Sequence, residues 1–132
     1  MKTKISILFI VLGLFACQQN KPTSVIKKGM IKVTVLYPNG EGKTFDMDYY
    51  TNKHVPMVQS LFGDSLKAVA IDKGIASGTP DTPVPYLAIG YLYFETISAF
   101  QNSMAPNAEK IMADIPKYTN IQPVIQVSEV LQ

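Results

Sequence analysis

Residues Tyr86 to Phe94 are almost continuously apolar and aromatic. A strand that alternates polar and apolar side chains can leave one face in water, whereas one without alternation must be covered on both. This stretch constrains the chain most: it has to sit in a sheet with helices on one face and a second apolar layer on the other.

The segments around it supply the helices. Ile31 to Tyr37 alternates and is rich in β-branched residues, which predicts a strand ended by Pro38-Asn39-Gly40. Asp46 is a candidate N-cap for a helix through Phe62, with Gly63 as its terminator. Leu66 to Asp72 reads as a second strand, followed by a loop carrying Gly74, Gly78, Pro80, Pro83 and Pro85. After Phe94, Thr96 or Ser98 can cap a second helix to about Ala113, with Phe100, Met104, Ala108 and Ile111 as its apolar stripe and a break expected at Pro106. Ile121 to Leu131 reads as the last strand, with Pro123 near its start. The order is βαββαβ, the ferredoxin-like α+β arrangement of a four-stranded antiparallel sheet with two helices on one face. The uncovered face of Tyr86–Phe94 is most simply buried against the same sheet of a second subunit, so a homodimer is expected.

The candidate chemistry lies in Phe45 to Pro56, which holds the chain's only histidine. At helical spacing Met47, Tyr50, His54, Val58 and Leu61 share one face, opposite Asp48, Asn52 and Gln59. An imidazole in an apolar stripe is either a polar group satisfied in the core or the lining of a reactive cavity. Pro56 lacks an N–H and strains the helix beside His54, at a cost of about 3 kcal/mol in a helix interior. As a catalytic pair, His54 is the candidate acid/base and Tyr50, one turn earlier, either orients it or offers a proton to a substrate oxygen. Tyr37, Val58 and Tyr118 are candidate substrate-binding walls, with Tyr91 and Tyr93 as further aromatic candidates whose ordinary role would be packing. Asp46 and Asp48 read as helix-capping residues, and Asp72 as a turn residue.

Other chemistries find little support. The chain carries twelve lysines and no arginine, so bidentate phosphate capture and a nucleic-acid groove are not expected. One histidine with scattered carboxylates predicts no metal site, and no Gly-x-Gly-x-x-Gly fingerprint is present. A single proximal histidine suffices for haem, yet no sequence feature favours it, and no cofactor is expected.

The N-terminal segment has its own logic. Lys2 and Lys4 precede Ile5 to Ala16, an apolar run too short for a bilayer span of about 20 residues. Leu14-Phe15-Ala16-Cys17 resembles a bacterial lipoprotein lipobox, which implies a signal peptide over 1–16 and acylation of Cys17, the only cysteine. Residues 17–29 then form a polar tether and 30–132 one domain. Loss of Lys2 and Lys4 leaves ten lysines against ten acidic residues. The expected location is outside the cytoplasm, lipid-anchored at a membrane surface, facing the periplasm or on the outer membrane.

Several motifs together resemble the EthD family of ethyl tert-butyl ether degradation proteins. They are Met30 to Pro38, Phe45-Asp46 with Asp48-Tyr49-Tyr50 and Lys53-His54-Pro56, Asp72-Lys73-Gly74, and Asp114 to Thr119 with Pro123 to Val130. The resemblance implies a dimeric α/β barrel with an apolar cavity between helices and sheet. It also implies an oxidoreductase or an isomerase- or lyase-like step on a small apolar carbonyl or phenolic compound, or alternatively a module that binds a hydrophobic ligand or haem without chemistry. An export signal before Met30 departs from the usual member.

Overall fold

A computed structural model describes residues 25–132. The expected signal peptide over 1–16, the expected lipidation site Cys17 and the first part of the expected tether lie outside the described residues. Residues 25–29 are exposed and join the domain where the Gly29 N–H donates to the Val130 carbonyl at 2.8 Å.

Four strands form one antiparallel sheet: β1 (Ile31–Pro38), β2 (Leu66–Lys73), β3 (Tyr86–Phe94) and β4 (Val124–Glu129), in the order β2-β3-β1-β4. The uncharged strand β3 is central, paired on one side to β1 (Val33 opposite Leu92) and on the other to β2 (Val69 opposite Leu92). The central position follows from its composition, because an edge would leave it half in water. Alternation sends Val33, Val35 and Tyr37 of β1 to the helical side, and Lys32, Thr34 and Leu36 to the other. On β3 the helical side takes Ala88, Gly90, Leu92 and Phe94, so that Ile89, Tyr91 and Tyr93 look out from the open face.

The helical layer is less regular than its sequence period predicts. The first helix comprises α1 (Met47–Tyr49), a π-helical turn (Tyr50–His54) and α2 (Val55–Phe62), with a 3-10 turn at Gly63–Ser65. Asp46 caps it as expected, its Oδ1 accepting from the Tyr49 N–H at 2.9 Å. The π turn appears where Pro56 follows: the Val55 N–H reaches back five residues to the Tyr50 carbonyl, so one extra residue is absorbed before the proline that could not complete an α turn. The extra residue rotates the face, and both His54 and Val55 are buried. Asp48 proves to bind Asn52, whose amide donates to it at 2.8 Å.

The second helix breaks at Pro106 into α3 (Ile97–Met104) and α4 (Ala108–Asp114), and Thr96 rather than Ser98 is the cap, accepting from the Ala99 N–H at 3.1 Å. A 3-10 turn at Ile115–Lys117 leads out of α4. The last strand is shorter than Ile121–Leu131. Pro123 carries no N–H for a ladder, and Ile121 instead packs into the core ahead of Val124.

Two apolar clusters hold helices to sheet. One gathers Tyr37, Tyr50, Val55, Ala88, Tyr118 and Ile121; the other gathers Val33, Val58, Phe62, Phe94 and Ile111. The candidate site lies where they meet.

Candidate functional site

His54 enters the core at the end of the π turn and is 5 % exposed. Its Nδ1 lies 2.9 Å from Oδ2 of Asp114, the last residue of α4 and itself 6 % exposed. A carboxylate at a helix C-terminus works against the helix dipole, so this one needs donors, and it has three. Besides His54, the Lys117 ammonium sits 2.9 Å from Oδ1 and the Tyr49 hydroxyl donates to the same oxygen at 3.2 Å. Pro116 helps to place them: the 3-10 turn it initiates brings Lys117 back over Asp114 and lays the Tyr118 ring 4.6 Å from the imidazole.

The electrostatics follow from burial. Desolvation opposes a charged imidazole, and although the Asp114 hydrogen bond and charge push the other way, the His54 pKa lies below its ordinary 6.5. Burial raises Asp114, but hydrogen bonds from Lys117, His54 and Tyr49 outweigh it and hold the carboxyl below its usual range. Near neutrality the pair is therefore a neutral imidazole beside a carboxylate. The Nδ1–H donates to Asp114, which fixes the tautomer and leaves the lone pair on Nε2. Among the described residues nothing hydrogen-bonds Nε2, and His54 lines the space that adjoins it.

That space is a cavity of about 80 Å³ between helices and sheet. Its lining is apolar except for three side chains, His54, Tyr50 and Tyr37. Tyr50 stacks on His54, ring centroids 5.6 Å apart at 18°, and does not orient it through its hydroxyl; Asp114 performs that task. The Tyr37 and Tyr118 hydroxyls are 2.8 Å apart, and the Tyr50 hydroxyl interacts with that of Tyr37. Burial raises the pKa of all three phenols, which stay protonated and are hydrogen-bonding groups rather than bases.

Of the residues expected to bind substrate, Tyr37 and Val58 line the cavity. Tyr118 stands one layer behind, touching His54 and Tyr37 and facing an outer groove with Thr44, Lys117 and Asn120. Tyr91 and Tyr93 belong to the open sheet face. Asp114, the hydrogen-bond partner of His54, is the residue of this candidate site that sequence reasoning passed over. It is 60 positions from His54, and no periodicity relates two helices folded against each other. Its only signal was its place in the Asp114-to-Thr119 motif. No group of three His, Cys, Asp or Glu able to hold a metal occurs among the described residues.

Comparison with known proteins gives a consistent picture. Residues 39–122 match the family model of the EthD domain. An EthD-like protein from Ralstonia eutropha JMP134 is 36% identical, superposes with a TM-score of 0.76, and is matched over 80% of this chain and 96% of its own. An ethyl tert-butyl ether degradation family protein from Bacillus halodurans C-125 shares the fold at 17% identity and a TM-score of 0.55, over 77% of this chain and 99% of that one. So does a Dabb family protein with a ferredoxin-like fold from Mesorhizobium loti MAFF303099, at 11% identity and a TM-score of 0.51, over 80% and 100% of the two chains. No curated protein matches the sequence.

Proposed function

The chain belongs to the EthD family, and on that premise we propose that it is a cofactor-independent enzyme in which His54 is the general acid/base. One observation carries the reading: an imidazole clamped through Nδ1 to Asp114 at 2.9 Å and lining an apolar cavity. An imidazole in that tautomer takes a proton from a carbon acid or a phenol and returns it elsewhere on the same molecule. The step belongs to an isomerase, a dehydratase or the proton-transfer half of an oxidation. The substrate is a small, mostly apolar carbonyl or phenolic compound, which the scarcity of polar lining supports.

The domain works as a homodimer through its open sheet face. That assignment is supported by Ile89, Tyr91 and Tyr93, side chains of the uncharged strand β3 that no helix covers. The lipobox-like Leu14–Cys17 supports attachment to a membrane surface after export.

The test follows deuterium uptake from heavy water by small ketones, aldehydes and phenols, read by NMR. His54→Ala should lower exchange by a factor of about 10²–10⁴, the usual worth of a positioned acid/base, and Asp114→Asn should lower it less. Exchange unchanged in His54→Ala would end the enzymatic reading. Ligands that bind without His54-dependent exchange would leave the non-catalytic binding module in its place.

A further inference from the structure

Gly90 sits in the middle of the central strand, a position where glycine weakens a sheet. Its backbone does not require it, since Gly90 is not among the residues with positive φ. Space does: a Cβ built there would stand 2.5 Å from the Tyr50 hydroxyl, and the next neighbours are 3.8 and 3.9 Å away. Gly90 is therefore a notch cut for one oxygen atom.

The geometry points to Gly90 as the residue that sets head-group selectivity: it seats the Tyr50 hydroxyl at the polar end of the cavity, which accepts an uncharged oxygen head and rejects a carboxylate. This deepens the proposed function and rests on the same cavity. Behind Tyr50 stands a chain of hydroxyls, Tyr50 to Tyr37 to Tyr118, whose last link is 2.8 Å and can run in either direction. Run toward the cavity, it presents a donor to a carbonyl oxygen; reversed, it presents an acceptor to a phenolic O–H. No cationic side chain lines the cavity, and the nearby Lys117 is engaged by Asp114 on the outer side. A carboxylate would be stripped of water with no fixed counter-charge, beside a His54 imidazole whose burial opposes protonation. The opposite end, around Val58, Phe62, Phe100, Met104 and Ile111, takes only an apolar tail. An apolar cavity that holds benzene measures about 150 Å³, so a ring-sized ligand enters as Met104 and Met112 turn aside, the unbranched thioether chains on the lining.

Phenol, benzene and benzoate share one ring and differ in the head, so their affinities for the domain, measured by NMR titration, test the assignment. Phenol should bind about tenfold more tightly than either of the others, the worth of one hydrogen bond of about 1.4 kcal/mol. Tyr50→Phe should reduce phenol to the level of benzene and leave benzene unchanged. Gly90→Ala should weaken phenol binding and lower Tm in the native background but cost little further Tm when Tyr50→Phe is already present, because removing the hydroxyl removes the clash. Equal binding of phenol and benzene, tighter binding of benzoate, no binding of phenol, or an equal Tm loss from Gly90→Ala with and without Tyr50→Phe would each overturn the assignment. These readouts do not involve proton transfer by His54, so they can fail while deuterium exchange succeeds, and the reverse.

Discussion

At the level of single residues, the site depends on a conflict between burial and charge. His54 resists protonation because it is buried, while Asp114 favours it, and burial wins. The consequence for stability has a definite sign. With a folded-state pKa below 6.5, His54 binds its proton more readily in the unfolded chain. Stability is then full above 6.5 and is lost as pH falls through the folded value. Asp114, held below its ordinary 3.8, adds a second loss in the same direction at lower pH. Thermal unfolding followed from pH 8 down to pH 4, units chosen to bracket the ordinary histidine value of about 6.5, should show Tm level at first and then falling. His54→Gln should flatten the first part of the fall. A Tm that rose as His54 became protonated would show that the imidazolium–carboxylate pair is the favoured state and that the cavity-facing base is misassigned.

At the level of the element, the decisive feature is the π turn at Tyr50–His54. A regular α-helix through Pro56 would pass the proline ring into the Asn52 carbonyl. The inserted residue avoids that and sets His54 and Val55 side by side in the core. The turn is held from its start, where Asp46 accepts from the Tyr49 N–H and the Thr51 hydroxyl donates to the Met47 carbonyl at 2.9 Å. Asp46→Ala should cost about 1 kcal/mol, the usual worth of an N-cap, measured by chemical denaturation. A larger part of the effect should show in hydrogen exchange of the Tyr49 to Val55 amides than in those of α3, which has its own cap at Thr96. Equal loosening of both helices would mean that the cap does not act locally.

On the scale of the whole molecule, the sheet is finished on one side only. Helices cover the face that carries Val33, Tyr37, Ala88 and Phe94, which are all at most 2 % exposed. The other face keeps Ile89, Tyr91 and Tyr93 half-buried, together with Lys32, whose ammonium lies 6.0 Å from the Tyr91 ring centre. Ile89→Lys adds a charge to that face without touching the helical core. It should convert the proposed dimer to a monomer in sedimentation while leaving the circular dichroism spectrum unchanged. A wild-type domain that sediments as a monomer would remove the sheet face from the assembly altogether.

Much of the fold was legible because its signals are local. Alternation in Ile31–Tyr37, the unbroken apolar run of Tyr86–Phe94, the caps at Asp46 and Thr96 and the break at Pro106 each act within a few residues, where backbone geometry and burial leave few alternatives. Those features determined the βαββαβ order, helical spacing placed the single histidine on an apolar face, and the EthD likeness rested on the motifs around Asp46, His54 and Asp114. Tertiary structure alone decided the rest. Whether Pro56 would kink, end or bulge the helix depended on which solution buried His54. Which carboxylate met that histidine depended on how α4 packs across α2. The glycine at position 90 acquired its meaning only when a hydroxyl from another element came to rest where its side chain would have been. Contacts between residues 40 to 60 positions apart follow from packing, and packing leaves no period in the sequence.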